Sequence, residues 1–150
     1  MLTAREIMTS ELVTVTPETS LKELASKFVE TRFGNMPVVD AQGELVGMIS
    51  ETDLVEQQKP LHIPTVMALF DGVFYLDSEK RFKEQVDRVT ATTVGELCNK
   101  QPVTCEPQTT IRQIAGLMSK HKVHLVPVVE AGKLVGVVGR LDLIRAMEGY

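Results

Sequence analysis

The sequence predicts one α+β domain built from two copies of a β-α-β-β-α unit. The first observation is an internal repeat: residues 4–41 align with 94–131 and residues 43–55 with 132–144, so that 16 of 51 paired positions are identical. The second observation is that both copies carry the same order of strand, helix-cap and turn signals. A repeat of about fifty residues that occurs only twice is too short for a solenoid, which needs roughly three or more stacked units.

The repeat therefore predicts a single pseudo-symmetric domain over residues 1–150. Its first repeat covers 4–55, its second repeat covers 93–147, and residues 56–92 form an insert between them. Two halves of one domain face each other, so we expect a shared cleft between the repeats. The chain is long enough to bury about two-thirds of its unfolded surface without disulfides or metals.

Each repeat opens with a short apolar strand. The predicted strands are Val13 to Val15 and Val103 to Cys105. They stop before Pro17 and Pro107, because proline has no amide hydrogen to donate to a ladder.

A helix with a capping-box signature follows in each repeat. Ser20 with Glu23, and Thr110 with Gln113, are spaced so that their side chains satisfy the free amides at a helix start. Behind these caps, apolar residues recur at i, i+3, i+4 and i+7, which is the spacing of a core-facing stripe. The stripes are Leu21, Leu24, Ala25 and Phe28 in the first repeat and Ile111, Ile114, Ala115 and Met118 in the second.

A β-hairpin and a second helix complete each unit. The first helix must end before Pro37 or Pro127, because the residue before a proline is pushed out of the α region. The Val-Val pairs that follow begin a strand, a turn containing glycine reverses the chain, and LVGMIS or LVGVVG returns as the second strand. A further helix is predicted to begin near Asp53 and near Asp142.

The insert at 56–92 matches neither repeat. A structureless loop of this length would be unusual in a compact domain. Phe82, Val86 and Val89 lie at i, i+4 and i+7, which predicts an amphipathic helix from about Ser78 to Val89. Two roles stay open for the insert: packing on the domain's own core, or supplying a contact to an oligomer or effector.

Composition and charge argue against several classes of protein. Hydrophobic residues make up 43% and charged residues 24%, as in soluble globular domains. The net charge is −4 and the basic residues are scattered, which argues against nucleic acid as a partner. No apolar run reaches the ~20 residues of a membrane span, and no signal-peptide pattern opens the chain. We expect a cytoplasmic protein with no membrane contact.

No catalytic or metal-binding signature occurs. Cys98 and Cys105 lack the CxxC spacing and are expected to be packed, reduced thiols. His62, His121 and His124 lack a further cysteine or carboxylate at a suitable spacing, so no metal site is predicted. The chain contains no Gly-x-Ser-x-Gly elbow, P-loop, GxGxxG run or HExxH motif, and we predict no enzymatic activity.

The repeats resemble the CBS-domain pair, the tandem arrangement also called a Bateman module. The resemblance rests on the β-α-β-β-α order, the Pro-Val-Val strand starts, and the stretches GMISETD at 47–53 and GVVGRLD at 136–142. These stretches follow the family's Gly-h-h-[Ser/Thr]-x-x-Asp signature, in which h is a hydrophobic residue. With an insert that contains PLHIP, the chain also looks like small stand-alone prokaryotic members of this family.

The resemblance implies an adenine-nucleotide site at each signature. Asp53 is implied to accept hydrogen bonds from the ribose hydroxyls, while Ser50 and Thr52 face phosphate. A glycine at the strand end and the free amides of the following helix favour such an anion. An aspartate at a helix start is also an ordinary helix-stabilising residue, so both roles stay open for Asp53. The strand residues implied to border the adenine are Thr14, Val15, Met36 and Pro37.

The second copy departs from the family pattern. Gly139 and Leu141 stand where the first copy has its two hydroxyl residues, while Arg140 and Asp142 remain. Two outcomes stay open: the second site is degenerate, or positive charge replaces the hydroxyls in binding phosphate. The combination of Ser50, Thr52 and Asp53 predicts that ligand binds chiefly through the first copy.

Several basic residues are candidates for the phosphate contact. Lys122, His124 and Arg140 could supply charge in the second repeat, and a histidine at the position of His124 can face phosphate in relatives. Gly34 takes this position in the first repeat, so phosphate there would depend more on Arg32 or on the neighbouring repeat. The full predicted nucleotide-binding set is Thr14, Val15, Arg32, Asn35, Met36, Pro37, Ser50, Thr52, Asp53, Lys122, His124, Val126, Pro127, Arg140 and Asp142.

These residues and the resemblance predict a non-enzymatic regulatory or sensor module that binds an adenine-containing ligand between the repeats. The expected ligand is AMP, ADP or ATP, although S-adenosylmethionine or a cyclic dinucleotide would fit the same signature; no cofactor is required. The alternative is a ligand-free structural module that serves dimerisation. We further expect an unidentified protein target and a homodimer. The interface residues expected from the second helices are Leu54, Val55, Leu143, Ile144 and Met147.

Overall fold

The computed structural model of the chain describes residues 1–58 and 93–149. The helix predicted near Ser78 to Val89 lies outside the described residues. The first repeat contains α1 (Ala4–Ile7), α2 (Leu21–Thr31), β1 (Asn35–Val39), β2 (Leu45–Ser50) and α3 (Glu51–Gln57). The second repeat contains α4 (Val94–Leu97), α5 (Ile111–His121), β3 (Leu125–Glu130), β4 (Lys133–Gly139) and α6 (Arg140–Gly149). The α+β class is confirmed, and so is the predicted order of long helix, hairpin and second helix in each repeat.

Each repeat contains an antiparallel hairpin, as the sequence predicts. Strand β1 pairs with β2 and β3 pairs with β4. Met36 lies opposite Ile49 and Val126 opposite Val138, and all four side chains are completely buried. This register directs the apolar face of each hairpin to the core, because side chains alternate between the two faces of a strand.

The strands predicted at 13–15 and 103–105 are reduced to single parallel bridges. The Val15 amide donates to the Pro37 carbonyl at 3.1 Å, and the Val39 amide donates to the Val15 carbonyl at 2.9 Å. Cys105 makes the equivalent bridge to β3. Pairing ends after this bridge because the chain turns at Thr16, whose carbonyl accepts from the Thr19 amide at 3.1 Å.

Side-chain caps begin the two long helices at the predicted residues. Ser20 accepts a hydrogen bond from the Glu23 amide, and Thr110 forms a complete capping box with Gln113. Both helices end earlier than the prolines require. Arg32 and Lys122 follow the last helical residues with φ of 58° and 55°, in the left-handed region where glycine is usual.

Each hydrophobic core is completed by the opening segment of the other repeat. In the core of the first repeat, Leu24 and Ile49 pack with Val94 and Leu97, which belong to the second repeat in sequence. In the core of the second repeat, Ile114, Val126 and Val138 pack with Ala4, and the partly buried Ile7 and Met8 pack against them. The two repeats thus exchange their first helices.

Backbone hydrogen bonds hold both exchanged helices in place. The Ala4 amide donates to the Thr109 carbonyl at 2.8 Å, and the Val94 amide donates to the Thr19 carbonyl at 2.9 Å. After each helix the chain forms a two-bond antiparallel bridge, between Thr9 and Val137 and between Asn99 and Met48. Equivalent contacts on both sides preserve the pseudo-symmetry of the repeats.

Both cysteines lie in these cores as free thiols, which confirms the prediction of packed, reduced cysteines. Burial raises the pKa of the Cys98 thiol, and burial raises the pKa of Cys105 to about 11. Both side chains therefore stay protonated at neutral pH, and the thiolate needed for nucleophilic chemistry is not populated.

The close approach of the exchanged segments requires glycine at two equivalent positions. A Cβ atom at Gly47 would lie 2.4 Å from the backbone carbonyl oxygen of Asn99, while a Cβ at Gly136 would lie 2.4 Å from the sulfur of Met8. A backbone atom cannot move without displacing the segment, whereas a methionine side chain can change its rotamer.

We therefore expect Gly47→Ala to lower the free energy of unfolding by roughly 1–3 kcal/mol, the usual cost of overpacking. Gly136→Ala should cost less, since Met8 can move. Urea unfolding of the two variants, fitted with one shared m-value, measures both free energies of unfolding. An equal or larger loss at Gly136 would contradict the exchanged-segment packing.

Candidate functional site

Asp53 caps α3 with one of its two carboxylate oxygens. Its Oδ2 accepts hydrogen bonds from the Ser50 amide at 2.9 Å and from the Ser50 hydroxyl at 3.0 Å, and the Asp53 amide donates to Ser50 Oγ at 3.2 Å. The other oxygen, Oδ1, accepts no hydrogen bond from residues 1–58 or 93–149. The helix-start role and a ligand-binding role are therefore compatible in one carboxylate.

Asp142 repeats this arrangement at the start of α6. Its Oδ2 accepts from the Gly139 amide at 2.7 Å, and its Oδ1 lies 3.9 Å from the Arg145 guanidinium. The carboxylate keeps this contact although Gly139 has no hydroxyl, because the donor is the backbone amide of that residue. The aspartate geometry therefore survives the loss of the signature hydroxyl.

Asp53 lies in a cleft of about 660 Å³ between the repeats, which we name cleft 1. The first repeat contributes Met48 and residues 50–53 to its wall, and the second repeat contributes Pro102, Val103 and residues 122–125. This volume falls in the range of small-molecule sites.

Asp142 lies in a cleft of about 460 Å³, which we name cleft 2. The second repeat contributes Val137, residues 139–142 and Arg145, and the first repeat contributes residues 11–13 and 32–35. Cleft 2 is the pseudo-symmetric counterpart of cleft 1, because each cleft joins one signature to the opening segment of the other repeat.

Five predicted site residues line neither cleft. Val15, Met36 and Val126 are 2%, 0% and 0% exposed in the two cores, and Pro127 is fully buried. Thr14 is partly buried, and its carbonyl oxygen accepts a hydrogen bond from Lys27 at 3.0 Å. Met36 and Val126 lie on the strand face that is turned toward the core.

The other ten predicted residues divide between the two clefts. Ser50, Thr52, Asp53 and Lys122 line cleft 1, whereas Arg32, Pro37 and Asp142 line cleft 2. Asn35, His124 and Arg140 line both clefts. Pro37, expected beside Asp53, instead lines the cleft that contains Asp142.

The clefts also contain residues that the sequence analysis missed. Pro102 and Val103 form the apolar wall of cleft 1, and Leu12 and Val13 form the equivalent wall of cleft 2. Phe33, which is 52% exposed, lines cleft 2 and offers an aromatic face. The repeat alignment pairs these positions, but it gives no signal that each faces the other repeat's signature.

The two clefts differ in their charged groups. Cleft 1 places the carboxylates of Glu51 and Asp53 opposite Lys122, with His124 and Arg140 at its border. Cleft 2 adds three arginines, Arg32, Arg140 and Arg145, to the carboxylates of Glu11 and Asp142. Cleft 2 therefore has positive charge in place of the hydroxyls that its signature lacks.

The two hydroxyls of the first signature are not equivalent. The Ser50 hydroxyl is engaged with Asp53 in the capping box, while the exposed Thr52 lines cleft 1. Within the described residues, no group of three or more His, Cys, Asp or Glu side chains has an arrangement that would hold a metal ion. No helix among those residues is sufficiently long and apolar to cross a membrane.

The protein-family model of the CBS domain matches the sequence twice, at residues 4–59 and at residues 94–149. Two matches that together cover more than half of the chain show that it belongs to the CBS-domain family. The recognition of a CBS-domain pair from its signatures is thereby confirmed.

Relatives are small CBS-domain proteins. The chain is 31% identical over 152 residues to the chloroplastic CBS domain-containing protein CBSX1 of Arabidopsis thaliana, covering 96% of this chain and 63% of that protein. It is 27% identical to the CBS domain-containing protein YhcV of Bacillus subtilis, covering 95% and 84% of the two chains.

Solved structures show the same architecture. The crystal structure of CBSX2 in complex with AMP matches with a TM-score of 0.78 and 25% identity, over 99% of this chain and 98% of that one. The CBS domain of a membrane protein from Sphaerobacter thermophilus matches with a TM-score of 0.66 and 30% identity, over 97% and 87% of the two chains.

Proposed function

We propose that this chain is a non-enzymatic sensor module that binds an adenine nucleotide in the clefts between its repeats. The observation that carries the proposal is the pair of aspartates, each of which accepts a backbone amide at a helix start with Oδ2 and lines a cleft of ligand size. The similar structure of CBSX2 holds AMP, which makes AMP the first ligand to test.

In cleft 1, a nucleoside monophosphate finds a complementary group for each of its parts. The apolar Met48 and Val103 border a surface suited to the adenine ring, and Asp53 Oδ1 is placed to accept from a ribose hydroxyl. Thr52 and Lys122 supply a hydroxyl and a cation for phosphate, and charge-assisted hydrogen bonds of this kind are the stronger class.

In cleft 2, the same parts are recognised by different side chains. Val13 and Phe33 border the apolar side, Asp142 takes the ribose position, and Arg32 and Arg145 replace the hydroxyls as phosphate ligands. This arrangement favours a second site in which positive charge replaces the hydroxyls over a second site that no longer binds. The expected preference of the ligand for cleft 1 stays a prediction.

We propose that the signal leaves the module through another protein or a change of assembly. Val55, Ile144 and Met147, three of the five predicted interface residues, are 67%, 56% and 74% exposed on α3 and α6. Leu54 and Leu143 instead pack partly against the two cores. We propose a homodimer through the exposed group and a cytoplasmic location; the protein target is unidentified.

We expect AMP to raise the melting temperature of the purified chain, because a ligand at 100 times its Kd adds about 2.7 kcal/mol to native stability. Asp53→Asn preserves an acceptor for the helix cap but removes the ribose-binding charge. It should weaken AMP binding at its cleft by roughly 1.5–3 kcal/mol, the value of a hydrogen bond to a charged group.

Isothermal titration calorimetry measures the Asp53→Asn loss, and Asp142→Asn is its counterpart in cleft 2. Glu30→Gln, at an exposed carboxylate on α2 that lines neither cleft, is the charge-matched control. No AMP binding to the unaltered chain would favour the ligand-free dimerisation module.

The left-handed backbone at Lys122 gives a test that separates binding from stability. Lys122→Gly and Lys122→Ala both remove the cation from cleft 1, but only glycine relieves the φ of 55°. We expect the glycine variant to be more stable than the alanine variant by about 1 kcal/mol in thermal or urea unfolding. Both variants should lose AMP affinity in cleft 1 equally; a loss seen with alanine alone would assign Lys122 a backbone role instead.

For the dimer, Met147→Glu should shift the mass in solution from twice 16.6 kDa to 16.6 kDa, because an exposed charge would be buried at the interface. Val29→Glu, at a residue that is 79% exposed on α2, is the matched control and should remain dimeric. Light scattering at micromolar concentration makes the measurement. A mass of 16.6 kDa for the unaltered chain would rule out the dimer.

A further inference from the structure

Clefts 1 and 2 share a wall. Among the described residues, five line both clefts: Gly34, Asn35, His124, Leu125 and Arg140. They are the first residues of β1 and β3, the residue before each of these strands, and the first residue of α6. A ligand in either cleft therefore lies against the same small set of side chains.

Arg140 is the one permanently charged side chain in this wall. It is exposed, and its guanidinium makes no hydrogen bond or ion pair with the residues that the structure describes. Its counterpart in the repeat alignment is Glu51, which lines cleft 1 alone. The Glu51 carboxylate lies beside Gly34, 3.3 Å from where a Cβ of that glycine would be. The pseudo-symmetry is thus broken at the wall by one cation and one anion.

The charged residues that line only one cleft indicate how strongly a phosphate in that cleft would depend on Arg140. Among the described residues that line cleft 1 alone, Lys122 stands with the carboxylates of Glu51 and Asp53, which gives one more negative than positive group. A phosphate entering cleft 1 therefore requires the shared cation more than cleft 2 does.

Phosphate binding in cleft 2 depends less on Arg140. Arg32 and Arg145 stand with Glu11 and Asp142 there, so the charged groups of this cleft balance over the part of the chain that the structure describes. A phosphate in cleft 2 gains from Arg140 as an additional cation.

We propose that Arg140 is a phosphate-binding residue of both clefts and that it couples them, so that nucleotide bound in one cleft weakens binding in the other. One guanidinium cannot be fully engaged by two phosphate groups on opposite sides of the wall. The second ligand thus meets a reduced positive charge and the negative charge of the first ligand. This inference rests on the proposed function, because it requires nucleotide in the clefts.

The coupling gives the module a graded response. The cleft with higher affinity fills first, and the other fills only at a concentration raised by the coupling factor. By thermodynamic linkage the factor is the same in both directions, and factors of about 5 to 150 are typical of coupled sites.

The test uses two single-cleft proteins, Asp142→Asn for cleft 1 and Asp53→Asn for cleft 2, titrated with AMP by calorimetry. Arg140→Ala added to each protein should lower its affinity for AMP by about tenfold, because one charge-assisted hydrogen bond contributes about 1.4 kcal/mol or more. The loss caused by Lys122→Ala should be confined to the cleft 1 protein, and that caused by Arg145→Ala to the cleft 2 protein. Arg112→Ala, at an exposed arginine of α5 outside both clefts, controls for net charge.

The second readout is the coupling itself. The chain with both clefts intact should bind two AMP molecules. The Kd of its second binding step should be at least fivefold higher than the Kd of the same cleft in the single-cleft protein. Arg140→Ala should reduce this ratio toward one, while Arg140→Lys, which preserves the charge, should retain part of it.

Each contrary outcome has a distinct meaning. A loss at Arg140 in only one single-cleft protein, or a ratio that Arg140→Ala leaves unchanged, would overturn the inference and leave the proposed function standing. No AMP binding to the unaltered chain would overturn the proposed function itself. The melting temperature of each variant without ligand shows whether a loss of binding follows from a loss of fold.

Discussion

The packing of each repeat's core against the opening helix of the other repeat is the constraint on which the structure depends. Ala4 and Val94 are both completely buried, and each lies in the core of the repeat to which it does not belong in sequence. Neither core is closed without the opposite segment. The two repeats therefore form a single folded unit, and pseudo-symmetry follows because the exchange is reciprocal.

The exchange also creates the two clefts. The chain that leaves α4 passes along β2 and reaches Pro102 and Val103 beside Asp53, and the chain that leaves α1 passes along β4 and reaches Leu12 and Val13 beside Asp142. Each cleft thus has a signature from one repeat and an apolar wall from the other. A nucleotide in either cleft would contact segments from both repeats.

Local sequence rules predicted the elements better than the site. Capping residues, prolines and apolar periodicity are read within a few residues, so the helices and hairpins could be placed from the sequence. The Ser-x-x-acid spacing at Ser50 and Asp53 is the same capping signal, and it explains why the Ser50 hydroxyl is engaged in the helix cap. The exchange of the opening helices could not be predicted from the sequence, because an alignment of two repeats does not show which copy of a segment packs on which core. Pro37 was expected beside Asp53 but lines the cleft of Asp142, and Met36 was expected at the ligand although its strand face turns toward the core.

Substitution of Val94 followed by hydrogen exchange tests this account most directly. Val94 belongs to the second repeat in sequence, but its side chain fills the first core. Val94→Ala should lower the protection of amides in α2, β1 and β2 of the first repeat, because their local opening is coupled to the packing of that core. Loss of protection confined to α5, β3 and β4 of the second repeat would contradict the exchange of opening helices.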